Sequence, residues 1–338
     1  MAPNGILQSK TRMQTQKRTH FNPLGEPAMS TLKAPMVRIE NHKSEVLSCE
    51  FHPSGKYILS SNREGLIHIC DIYGTFTKMM VMEGHTGPVM ETHFSRDGFD
   101  VYSCSADGTL GVWDTFGGTR KATFEGHTKE VNCMQGTKIG YPLLCSGSND
   151  GTIRIWDTRE QKCTLTLESE GNKKVTACSF SETGEYIFSG GCDAGVKIWD
   201  LRKKEILHVL MGHTGKITGV SLSPCGGYLL SHSTDNTLRV WDVGPYTPLD
   251  RAVRWFPSNQ VGAENLLRCN WSHDGSMISA GTSELDVFVW DSDSGEVIYD
   301  LPGHNSSIND VAFHPRESIL LSASNDTFLF LHEIKPFN

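Results

Sequence analysis

Histidine, aspartate, serine and tryptophan recur at fixed offsets along this chain. Gly-His pairs end at His85, His127, His213 and His304. Trp113, Trp156, Trp241 and His332 follow them by 28 or 29 residues. Imidazoles and carboxylates together could hold a metal ion or run acid–base chemistry. The spacing argues against both. Successive sets lie about one 43-residue repeat apart, so each set falls in its own structural unit and not around one ion. The sequence has no P-loop, nucleophile elbow, HExxH pair or Gly-rich strand-to-helix phosphate loop, so no catalysis and no small-molecule substrate are expected. The ten cysteines include no CxxC pair, and neither a metal nor another cofactor is expected. Cys104, Cys145 and Cys192 fall within expected strands, where a thiol packs as a small hydrophobe. Reduced cysteines suit the cytosol or nucleus.

The units that must position these residues are legible from a second marker. Trp-Asp pairs occur at 113–114, 156–157, 199–200, 241–242 and 290–291, and Cys70-Asp71 and His332-Glu333 share their phase. The intervals between acidic positions are 43, 43, 43, 42, 49 and 42 residues. Gly-His and Trp-Asp at this period mark a WD-repeat β-propeller. Asp-Gly turns at 107–108 and 150–151 sit between β-prone runs and predict hairpins. Four short strands make a blade too small to bury both its faces, so neighbours must cover it and the ring must close. The last unit ends after a third strand, Leu329 to Ile334, whereas Met36-Val37-Arg38-Ile39 is a β-prone segment with no blade of its own. The expected fold is all-β: a seven-bladed propeller over residues 36–338, closed by an N-terminal strand that completes the last blade. Residues 1–35 are expected to form a flexible basic tail.

Charge and hydropathy narrow the partners. Lys10, Arg12, Lys17, Arg18 and Lys33 face only Glu26 within residues 1–36, leaving twelve net negative charges on the remainder of a chain of net charge −8. An acidic body repels phosphate at long range, so RNA contact is expected to be indirect or through the tail. No apolar run is long enough to span a membrane. The first ten residues lack a charged segment followed by an apolar one, so no secretory signal is expected.

From about residue 36 the chain resembles the WD-repeat family. That resemblance implies a buried hydrogen-bonded set in each blade. The second blade would use His85, Ser103, Asp107 and Trp113. The third would use His127, Ser146, Asp150 and Trp156, and the fifth His213, Ser231, Asp235 and Trp241. Other blades depart from the pattern. The first has Glu64 and Cys70 in place of Asp and Trp. The fourth keeps Ser189, Asp193 and Trp199, with Glu170 or Gly171 where His belongs. The sixth has Gly262, Ala280 and Glu284 and keeps only Trp290, and the seventh has His332 in the Trp position. These departures are expected to weaken the polar sets, with the sixth blade held mostly by apolar packing.

Several segments are similar to WD-repeat subunits of the U5 small nuclear ribonucleoprotein: Phe51-His52-Pro53-Ser54-Gly55, Gly84-His85-Thr86-Gly87-Pro88, Asn265-Leu266-Leu267-Arg268-Cys269-Asn270-Trp271-Ser272 and Val311-Ala312-Phe313-His314-Pro315. This similarity implies a nuclear spliceosomal protein. It would sit in the U5 particle and tri-snRNP beside other U5 proteins and contact the large central spliceosome protein. One candidate interface is the lengthened segment after blade five, with Tyr246, Arg254, Trp255 and Phe256, since aromatics and Arg dominate interface hot spots. The alternative is that it packs back on blade six. A second candidate is the face carrying Lys129, Glu130, Lys216 and Glu45, or else these are ordinary solvated surface. A rival function is a substrate receptor of a cullin-based ubiquitin ligase. Trp156-Asp157-Thr158-Arg159 and Trp199-Asp200-Leu201-Arg202 fit the WDxR pattern of such receptors, with Arg159 and Arg202 as adaptor contacts.

Overall fold

A computed structural model describes residue 32 and residues 35–73, 78–244, 251–258, 266–283 and 285–334. Among them the strands form seven four-stranded antiparallel sheets. In six sheets the strands follow chain order from the inside out. Blade one covers residues 46–82, blade two 89–124, blade three 131–168, blade four 175–210, blade five 217–257 and blade six 269–301.

The seventh sheet contains Ile308–Phe313, Ile319–Ser324 and Leu329–Glu333, and its outer strand is Met36–Ile39. Met36 pairs with His332 and Ile39 with Leu329. The expected closure by an N-terminal strand is what the chain does. The inner strand of each blade contacts the inner strands of both neighbours, and Val46–Phe51 of blade one meets Ile308–Phe313 of blade seven. The ring therefore has seven blades and is closed.

Each sheet hides both faces only because another sheet lies against it. Among the described residues there is one apolar cluster at each blade interface, such as Leu59, Ile67, Ile69 and Met82 of blade one with Val89, Val101 and Trp113 of blade two. Each Trp of a Trp-Asp pair fills the interface with the preceding blade. Burial of that kind is nearest-neighbour burial, and it makes the blades interdependent. Tight turns finish the fit. Gly98 has φ +76°, and a Cβ there would lie 2.1 Å from His52 Nε2, so both the turn and the neighbouring blade require glycine.

Two expectations about local structure are corrected. Cys192 lies in the turn just past Tyr186–Gly191 and is exposed, because the Asp193 turn begins there. The segment through Phe256 is not wholly a connecting insertion. Ala252–Pro257 is the outer strand of blade five, and Phe256 is buried between blades five and six. The extra chain length falls on both sides of this strand.

Candidate functional site

The recurring histidines are internal struts. His85 Nδ1 lies 2.9 Å from Asp107 Oδ2, and its Nε2 lies 2.8 Å from Ser103 Oγ. Trp113 Nε1 donates to the same Ser103 oxygen at 2.8 Å. His127, Asp150, Ser146 and Trp156 repeat this arrangement, as do His213, Asp235, Ser231 and Trp241. Burial on its own would raise the Asp107 and Asp150 pKa values. Hydrogen bonds from the imidazole, a threonine hydroxyl and two backbone N–H groups outweigh it, so both carboxyls titrate below their ordinary range, Asp150 at about 2. Burial lowers the His127 and His213 pKa values, keeping the rings neutral donors and acceptors. These side chains spend their polar atoms on each other.

The irregular blades find other solutions. In blade four, Lys197 replaces the missing histidine: its Nζ lies 2.5 Å from Asp193 Oδ2 and 3.1 Å from Ser169 Oγ. Ser189 still accepts from Trp199 at 2.7 Å. This corrects the expectation of a weakened fourth set. Blade seven is complete on its histidine side, where His304 meets Asp326 at 2.9 Å and Ser322 at 2.8 Å. His332 occupies the Trp position, stacked on Phe330, and burial first and the nearby His304 second lower its pKa to about 4. Blade one joins His42 to Ser60 at 2.7 Å and stacks His42 on His68. Blade six has Ala280 in place of the serine, and among the described residues Trp290 Nε1 has no acceptor. Gly262 and Glu284 lie outside the described residues.

The central channel holds a charged network that repeat-based reasoning missed. All seven blades line a cavity of about 340 Å³. Its inner strands clasp one another through side chains. Asp310 accepts from Cys49 N at 3.0 Å, Glu50 from Phe94 N at 2.7 Å, Glu91 from Met134 N at 2.7 Å and Gln135 from Phe180 N at 2.8 Å. Arg268 of blade six crosses the channel. It donates to the carbonyls of Leu47, Met90 and Asn132 on blades one, two and three, and pairs with Glu91 at 2.8 Å. Small residues stand at the matching positions beside it: Ser48, Cys133, Ala177 and Gly219.

His93 sits 3.4 Å from both Glu50 and Glu91. Burial opposes its charge, but the two carboxylates dominate and push its pKa up to about 10. Burial raises Asp310 to about 6, with Arg268 and the Cys49 N–H pulling the other way. Charged side chains at inner-strand positions where apolar ones are expected were the available signal.

The other predicted residues are spread over two faces. The loops between blades and the turns between second and third strands share one face with the histidines; the remaining turns lie on the opposite face. Lys129, Glu130, Lys216 and Glu45 are on the histidine face, in equivalent loops of blades three, five and one. Glu130 accepts from Asn149, and Glu45 pairs with Arg63 at 2.6 Å. Arg159 and Arg202 are exposed on the opposite face, and Arg202 pairs with Glu185. Arg254 donates to the Ser292 carbonyl of blade six at 2.8 Å, Trp255 is 63% exposed, and Tyr246 lies outside the described residues.

The sequence matches the family model described as WD domain, G-beta repeat, over residues 33–71, 76–114, 118–157, 161–200, 204–242 and 295–333. Most of blade six falls in the gap between the last two stretches, in line with its lost polar set. The chain is 44% identical over 312 residues to the U5 small nuclear ribonucleoprotein 40 kDa protein of Bos taurus, covering 92% of this chain and 87% of the bovine one. It is 36% identical over 315 residues to the protein of that name in Dictyostelium discoideum, covering 93% and 88%. It is also 36% identical over 334 residues to pre-mRNA-splicing factor cwf17 of Schizosaccharomyces pombe, covering 98% and 97%.

Proposed function

The chain belongs to the WD-domain, G-beta repeat family, together with the 40 kDa proteins of the U5 small nuclear ribonucleoprotein, and on that premise we propose that it is a protein-interaction scaffold in pre-mRNA splicing. It works in the nucleus as part of the U5 particle and the tri-snRNP, contacts the large central spliceosome protein, and reaches RNA indirectly or through its basic tail. It binds partners and catalyses nothing. The observation that carries this reading is likeness over almost the whole length of both chains to proteins named for U5 and for splicing. The physical reading agrees: the recurring histidines, serines and aspartates are committed to internal hydrogen bonds, which leaves two loop faces and a rim as working surfaces.

Affinity purification of the tagged chain from nuclear extract tests it. Recovery of U5 RNA with U5 proteins is the expected result. Recovery of a ligase adaptor and cullin without U5 RNA overturns it in favour of a substrate receptor using Arg159 and Arg202.

A further inference from the structure

We propose that the groove between blades two and three, on the face opposite the histidines, holds an acidic segment of a partner protein that also carries apolar side chains. This rests on the scaffold reading and names the chemistry of one partner. The groove has a volume of about 630 Å³. Arg96, Lys121, Lys138 and Arg159 line it, against the carboxylates of Asp97 and Asp100. Lys121 is engaged by Asp100 at 2.6 Å and Asp114 at 2.8 Å, and Asp97 accepts from Ser95 and the Phe99 N–H. Among the described residues, Arg96, Lys138 and Arg159 make no side-chain hydrogen bond or ion pair, and all three are exposed. A chain of net charge −8 thus gathers three unengaged cations around one groove.

Large apolar side chains stand at the same place. Ile139 lines the groove and is 49% exposed, and Tyr141 in the same loop is 73% exposed. Phe99, beside the opposite wall, is 61% exposed. Loop aromatics between free arginines match what protein interfaces use as anchors. Exposed aromatics with cations also suit single-stranded RNA. Two carboxylates in the same wall and the acidic body favour a peptide, whose few charges are matched by three cations without a continuous basic track.

The test uses the purified full chain and fluorescence anisotropy at low salt with three labelled probes: a peptide alternating glutamate and phenylalanine, the same peptide with lysine for glutamate, and oligo-uridine. The glutamate peptide should bind and the lysine peptide should not. The triple variant Arg96→Glu, Lys138→Glu, Arg159→Glu should weaken glutamate-peptide binding by about tenfold or more, since each reversal replaces an attraction with a repulsion. Its thermal unfolding should match the parent, because all three side chains are exposed. Lys129→Glu with Lys216→Glu, on the other face, should leave binding unchanged. Tighter binding of oligo-uridine than of the glutamate peptide overturns the proposal. So does a triple variant that binds the peptide as the parent does, or a histidine-face variant that weakens it equally. Recovery of U5 RNA by the parent chain from nuclear extract is a separate readout; its failure counts against the function proposed above and leaves the peptide result to be judged on its own.

Discussion

Arg268 Nη2 lies 2.8 Å from the carbonyl oxygen of Met90, joining blade six to blade two across the channel. The same guanidinium reaches Leu47 and Asn132 and neutralises Glu91, so a single side chain ties four blades. Arginine suits the task because its planar fork presents several donors in fixed directions.

Arg268→Met should therefore destabilise the ring by about 3 kcal/mol, because buried Glu91 keeps only His93, which it shares with Glu50, and three carbonyls lose their donor. Arg268→Lys should fall between the two, keeping the charge but losing the span. Urea denaturation of the three proteins measures the order. Equal midpoints would mean that the strut carries no net stability.

Blade six offers the converse test. Ala280→Ser places a hydroxyl where the other blades have one and gives Trp290 Nε1 an acceptor. A gain of about 1 kcal/mol is expected from satisfying a buried donor. Ser231→Ala, which strips Trp241 and His213 of their shared partner, should cost about 2 kcal/mol. Thermal unfolding of both variants checks the opposite signs.

Lys197→Met should destabilise blade four by leaving Asp193 without its cation. Adding Asp193→Asn should recover part of the loss. A double-mutant cycle reads the coupling, and strictly additive effects would show that the two side chains do not act as a pair.

His93 gives the protein an alkaline limb. The folded state keeps this ring protonated up to about pH 10, whereas a free imidazole has a pKa of 6.5. Between those values the folded state binds the extra proton, so stability falls as pH rises through the window and is fully present below it. Urea midpoints measured across the window should decline for the parent and stay flatter for His93→Gln.

Deleting residues 1–40 removes the strand that caps Leu329–Glu333. The ring loses the strand pairing that fastens its two ends together and uncovers the edge of the buried strand Leu329–Glu333, so lower thermal stability and self-association are expected. Light scattering with size-exclusion chromatography detects the second effect. Ile39→Asp, a milder change at a buried position, should lower stability without opening the edge.

The sequence showed what recurs. The period, the Gly-His and Trp-Asp markers and the unpaired strand at Met36–Ile39 were enough for blade number, register and closure, because each blade repeats one local solution. The polar sets of blades two, three and five were readable through the resemblance to the WD-repeat family, carried over position by position. Lys197 was not, since it approaches Asp193 from a neighbouring strand position and not from the loop where histidine normally enters.

By itself, then, the sequence determined the seven-fold ring, because the repeat markers depend on separations within one blade, and its resemblance to the WD-repeat family implied that the recurring residues are committed to internal hydrogen bonds. Only the tertiary structure decided which residues meet across the ring. Arg268 and Met90 are 178 positions apart, and although Arg268 stands at the same repeat phase as Glu91, the repeat does not say which blades' side chains meet across the channel. It also decided that Phe256 is core while Trp255 beside it faces solvent, and that Arg96, Lys138 and Arg159 share one groove. Those outcomes follow from closure, which brings side chains of blades distant in the chain face to face.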